Sequence, residues 1–101
     1  MENYPVSNRG SVGISMTEAE TIAVMAADKD IIGKYGDDRG WHFDTQSVRL
    51  ESLQFGEQSL LLYRVILQLN RPKEFLRAAI QNVVEYQVEA ITGKIVGYEK
   101  R

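Results

Sequence analysis

The chain has 101 residues, 44% of them hydrophobic and 26% charged, which fits one globular domain and excludes a disordered chain. The formal net charge of -2 argues against the basic surface that nucleic acid requires, and the absence of cysteine excludes disulfides, thiolate metal sites and a cysteine nucleophile. No apolar run approaches the roughly 20 residues that span a bilayer, so no membrane partner is expected.

Residues 1–13, "MENYPVSNRGSVG", mix Asn, Ser, Gly and Pro and read as a flexible lead-in, with a short strand near Val12–Ile14. They lack a basic start followed by an apolar run, so no signal peptide is expected. The chain as it stands reads as cytoplasmic, and as extracytoplasmic if a leader preceded it. Residues 14–101 read as a single α+β domain.

A helix is expected from about 18 to 29, with a possible stop as late as Gly36. Thr17 and Glu20 have capping-box spacing, and Ala19, Ile22, Ala23 and Ala26 form an apolar stripe. Residues 36–45, "GDDRGWHFDT", read as a loop. In "QSVRLESLQF" the apolar phase switches between Val48–Leu50 and Leu53–Phe55, which predicts a strand bulged near Glu51–Ser52. A turn at Gly56 follows.

"SLLLYRVILQL" is the strongest strand signal. Leu61, Tyr63, Val65, Leu67 and Leu69 share one face; Leu60, Leu62, Arg64, Ile66 and Gln68 share the other. Apolar groups on both faces predict a central strand covered on both sides. In "NRPKEFLRAAIQN", Pro72 suits a first helical position, and Phe75, Leu76, Ala79, Ile80 and Val83 recur at helical spacing. A second short helix at about 72–82 is expected there. A long strand after a tight turn at 70–74 is the competing reading.

The last segment reads as a hairpin. Val84, Tyr86, Val88 and Ala90 point inwards, while Glu85, Gln87 and Glu89 point to water. The turn is Ile91–Gly93 with Gly93 left-handed, and Ile95–Tyr98 pair back. The expected architecture is thus an N-terminal helix packed on a four-stranded antiparallel sheet.

"YQVEAITGKIV", residues 86–96, resembles the closing strand pattern V-D-A-x-T-G-K-hydrophobic of PepSY domains. Val88, Ala90, Thr92, Gly93, Lys94 and Ile95 match it, and Glu89 stands where Asp is usual. "ISMTEAETIA", residues 14–23, is similar to the start of that family's helix. The resemblance covers these two ends; the middle, with "RPKEFLRAAIQN", departs from the pattern. It implies a cystatin-like helix on an antiparallel sheet, and a binding or inhibitory module without catalytic residues.

No catalytic, metal or cofactor set is expected. His42 lacks partners at zinc spacing, and the aspartates at 28, 30, 37, 38 and 44 do not follow an EF-hand loop. Gly33, Gly36 and Gly40 are not followed by the Lys-Ser/Thr of a phosphate loop. Arg71, Lys73 and Arg77 cluster where they could meet an acidic partner or a phosphate. Leu60, Leu62 and Ile66 would form an apolar patch if nothing covered their face, and they point to homodimerisation through the sheet. With Trp41, these six are the candidate partner-binding residues. The leading functional expectation is a non-enzymatic protein-binding or inhibitory module. A small cytoplasmic inhibitor or immunity-type protein covering a partner's active site, and a small cone-shaped enzyme with a pocket near His42, are the alternatives.

Overall fold

Ser15, not Thr17, opens the helix. Its hydroxyl accepts from the Glu18 amide at 3.1 Å, and the Glu18 carboxylate accepts from the Ser15 amide at 2.8 Å. The capping box is the expected motif, set two residues earlier than Thr17–Glu20. Glu20 is used elsewhere: it accepts a hydrogen bond from Thr45 at 2.5 Å. The helix, α1, runs Met16–Tyr35 and stops at Gly36, whose φ of 94° closes the last turn through a bond to the Ile32 carbonyl.

The computed structural model describes residues 13–101. The lead-in expected at 1–13 lies, apart from Gly13, outside the described residues. Ile14 takes no strand pairing, but its amide donates to the Ala90 carbonyl and its carbonyl accepts from the Tyr63 hydroxyl.

After α1 come β1 (His42–Phe55), β2 (Gln58–Arg71), β3 (Ile80–Glu89) and β4 (Ile95–Lys100). They form one antiparallel sheet in the order β1-β2-β3-β4, so each strand pairs with its neighbour in sequence. This is the expected α+β architecture. β1 starts within the segment read as loop, and its bulge lies between Thr45 and Ser47 rather than near Glu51. The second helix is absent. Residues 72–79 form a loop, and Ile80 begins β3 opposite Arg71. A helix over 72–82 would remove Ile80, Gln81 and Asn82 from the ladder and leave the inner backbone groups of β2 without partners. Ile80 and Val84 serve the strand period equally well.

Helix α1 lies across β1, β2 and β3. Its buried stripe is Ala19, Ala23, Ala27 and Ile31. The small alanines let the helix approach Tyr63, Val65, Leu67 and Leu69 of β2 and Val84, Tyr86 and Val88 of β3. Val65, Leu67 and Val88 are fully shielded, and each contributes roughly 1.5–3 kcal/mol by burial. Tyr86 also donates to the Asp30 carboxylate at 2.6 Å, pinning the helix to the sheet. Burial first, and then that bond, push the Tyr86 phenol well above its ordinary value.

The opposite face carries charge. Arg64 meets Glu51 and Glu85, each at 2.6 Å, and Arg101 meets Glu85 at 2.8 Å. Glu85, expected to point to water, is only 3% exposed. Glu89 instead wraps the β3–β4 turn, accepting from the Ile91 and Thr92 amides. Gly93 has φ 78°, the left-handed conformation expected of it.

Candidate functional site

Among the described residues, the loop that replaces the second helix carries the most exposed large apolar side chains. Glu74 and Arg77 exchange backbone hydrogen bonds of 3.2 and 2.9 Å, so Phe75 and Leu76 form a tight two-residue tip. Both side chains are 90% exposed. Leu76 has φ 67°, in the left-handed region that a side chain with a β-carbon disfavours. It is the only residue other than glycine with positive φ among the described residues.

The base of the tip is fixed. Arg71, the last residue of β2, is buried, and its guanidinium sits 5.8 Å from the Tyr35 ring centre and 5.7 Å from that of Trp41. Tyr35 and Trp41 pack against each other with centroids 5.1 Å apart. Arg71 Nη2 then donates to the Ala78 carbonyl at 3.1 Å, which ties the returning limb of the loop to this clamp. Its Nε is buried with no hydrogen-bond partner among the described residues. The stacking of a cation on two aromatic faces offsets part of that loss.

The loop between α1 and β1 reaches the same place. A β-carbon on Gly40 would stand 3.1 Å from a Glu74 carboxylate oxygen, so glycine permits the two loops to touch. Together they enclose an open cleft of about 310 Å³ lined by Arg39, Glu74, Phe75 and Arg77. Asp37 holds Arg39 through a 3.2 Å ion pair and an amide hydrogen bond. The Arg39 amide, then its side chain, draw the Asp37 carboxyl below its usual value.

Four of the candidate residues therefore meet at one end of the molecule. Trp41 and Arg71 are its buried support; Lys73 and Arg77 are exposed beside the apolar tip. Phe75 and Leu76 escaped sequence reasoning because their spacing matched a helix stripe. Pro72, which also fits the tight turn at 70–74 of the competing reading, was the available pointer.

Leu60, Leu62 and Ile66 lie elsewhere, on the sheet face away from α1. Leu62 is 1% exposed, while Leu60 and Ile66 are half-buried. Glu51 and Glu89 stand opposite Leu62 on the two neighbouring strands, and Glu85 stands opposite Ile66. Acidic side chains and Arg64 thus border these apolar groups.

His42 is exposed and faces Asn70, on the opposite side of the sheet from Trp41. Asp30 serves Tyr86, Asp37 serves Arg39, and Asp44 accepts from Asn70 at 3.4 Å. Asp28 is raised by a hydrogen bond shared with Asp38. Among the described residues no three His, Cys, Asp or Glu side chains come together as a metal site. No helix among them is long and apolar enough to cross a membrane. Compared with protein families, curated proteins and solved structures, the chain matches none.

Proposed function

We propose that the protein is a non-enzymatic, PepSY-like binding module that inserts its β2–β3 tip into an apolar pocket of a protein partner. The observation that carries this is the tip itself. Two large apolar side chains stand in water, one on a strained backbone, on a base locked by Tyr35, Trp41 and Arg71. Strain and exposure both oppose stability, and such features cluster where binding uses them. Arg39, Lys73 and Arg77 around the tip outnumber Glu74 and the Asp37 that pairs with Arg39, so an acidic rim on the partner's pocket complements it. Occupying a pocket in this way suits an inhibitory role.

The test compares immobilised wild-type chain with a Phe75→Ser/Leu76→Gly variant, each incubated with extract of the native host and quantified by mass spectrometry. A protein retained by the wild type, lost by the tip variant, kept by His42→Ala and released by moderate salt is the expected result. Identical captured sets would overturn the reading. Binding to anionic vesicles that depends on Phe75 and Leu76, with no protein so retained, would replace the protein partner with a lipid surface. An activity lost in His42→Ala would overturn the non-enzymatic part.

A further inference from the structure

A recess opens between the last turns of α1 and the helix-facing side of β3 and β4. The register places its strand residues on that side: Asn82 pairs with Leu69 of β2, Val84 with Lys100, and Tyr86 with Tyr98. Ile31, Leu69 and Val84 form a buried apolar floor. Tyr86 and Tyr98, with ring centres 5.1 Å apart, form one side. Lys34 and Lys100 are exposed at the rim, and Asn82 is half-buried. The volume is about 70 Å³, several times the roughly 10–15 Å³ that one water needs.

Most polar ends around this recess have no task in the fold. Tyr86 spends its hydroxyl on the Asp30 carboxylate at 2.6 Å. The side chains of Lys34, Asn82, Tyr98 and Lys100 donate to no group among the described residues, and neither lysine forms an ion pair there. Lys34 Nζ instead lies 5.6 Å from the centre of the Tyr35 ring. Asn82 is unusual for its position. It continues the inward phase of Val84, Tyr86 and Val88, where the strand is otherwise apolar. Two ammonium groups thus share the recess with one carboxylate, Asp30, which Tyr86 already engages. A cavity that joins an apolar floor to a few convergent polar groups is where small ligands bind.

We infer that this recess binds a small carboxylate with a short apolar stem. The stem lies on Leu69 and Val84, and the carboxylate sits at the rim between Lys34 and Lys100. The Asn82 amide and the Tyr98 hydroxyl supply neutral donors, which fix the head group where the lysines supply charge. Size sets the upper limit, because a recess this small admits a stem of only a few carbons. The apolar floor separates a carboxylate from an inorganic anion, since phosphate carries the charge but leaves Leu69 and Val84 without a partner. The inference does not depend on the tip's role: neither Phe75, Leu76 nor the basic residues beside them border the recess.

The test titrates the isotope-labelled full chain with sodium butyrate and, separately, with inorganic phosphate, at fixed pH and ionic strength, and follows the amide resonances by NMR. Butyrate should give saturable shifts at the Asn82 side-chain amide and at the backbone of Tyr98. Its dissociation constant should be about a millimolar, the range open to a ligand of so few atoms. Phosphate should bind about fivefold more weakly or worse, for want of the stem. Lys34→Gln and Lys100→Gln alter exposed side chains and leave the core intact, and each should weaken butyrate by about fivefold. Lys73→Gln, beside the tip, should leave butyrate binding unchanged. Shifts that rise without saturating, phosphate binding as tight as butyrate, or butyrate binding indifferent to both Lys34→Gln and Lys100→Gln would overturn the inference.

Discussion

Arg64 on β2 and Glu85 on β3 meet at 2.6 Å across the middle of the sheet face that carries no helix, and Glu85 is buried there. Burial alone would push the Glu85 carboxyl up. Hydrogen bonds from Gln87 and Arg64, with the charges of Arg64 and Arg101, outweigh it and hold the carboxyl below its ordinary 4.5. The stabilisation is therefore present above that value and lost as pH falls through the lower, folded one. Urea melts should show wild type exceeding Glu85→Gln by about 2 kcal/mol at pH 7, with the gap closing as the pH is taken below 4. A gap unchanged down to pH 3 would mean that the carboxylate's charge contributes nothing.

Leu76 makes no use of its side chain within the fold, yet holds a left-handed backbone. Leu76→Gly should raise stability by about 0.5–1 kcal/mol, the relief of strain exceeding the extra freedom of the unfolded glycine. Equilibrium denaturation gives the sign directly, and a loss of stability would remove the strain.

Gly93 poses the opposite case. Its φ is 78°, and an added β-carbon would stand 3.2 Å from Ile22 Cδ1. Gly93→Ala should cost roughly 1 kcal/mol. An unchanged melting midpoint would count against this turn geometry.

Arg71→Lys keeps the charge but loses the flat cation between Tyr35, Trp41 and the Ala78 carbonyl. The core beneath should persist while the tip loosens. Amide exchange at Glu74 and Arg77, whose backbone groups bond each other, should accelerate several-fold, with the amides of Val65 and Leu67 unaffected. Equal acceleration at all four would make Arg71 a general core residue rather than the tip's anchor.

Leu62→Glu should destabilise the monomer by about 3 kcal/mol, because it buries a carboxylate between Glu51 and Glu89. If Leu60, Leu62 and Ile66 instead formed an open dimerisation patch, this change would loosen self-association and leave the chain folded. A thermal melt distinguishes the two: a midpoint within a few degrees of wild type would restore the open apolar face.

The strands and the helix were legible because their periods are strong. β2 carries apolar residues on both faces, as a central strand does, and Ala19, Ala23 and Ala27 of α1 recur every fourth residue. The capping box slipped by two positions because Ser15–Glu18 and Thr17–Glu20 both fit its spacing, and only the Glu20–Thr45 contact, set by the fold, separates them. The segment 72–82 was misread for a deeper reason. Its apolar residues fit a helix locally, but the unpaired backbone of β2 decides the matter, and that demand is invisible in the segment itself. The site went the same way. Arg71, Lys73 and Arg77 could be picked out by charge, whereas Phe75 and Leu76 stand out only once the loop places them in water. Trp41 drew notice beside His42, and the fold buries it against Tyr35 and Arg71.

The order of the sheet bears on how the chain emerges during synthesis. α1 is made before all four strands it could pack on, and the β2–β3 ladder is complete only once Glu89 is clear. Until then the helix has no surface to lie on. A leucine stripe would spend that interval as a sticky ribbon; three alanines in the four buried positions expose far less. The small side chains that let α1 sit close to the finished sheet thus also leave less apolar surface bare on the helix while it waits.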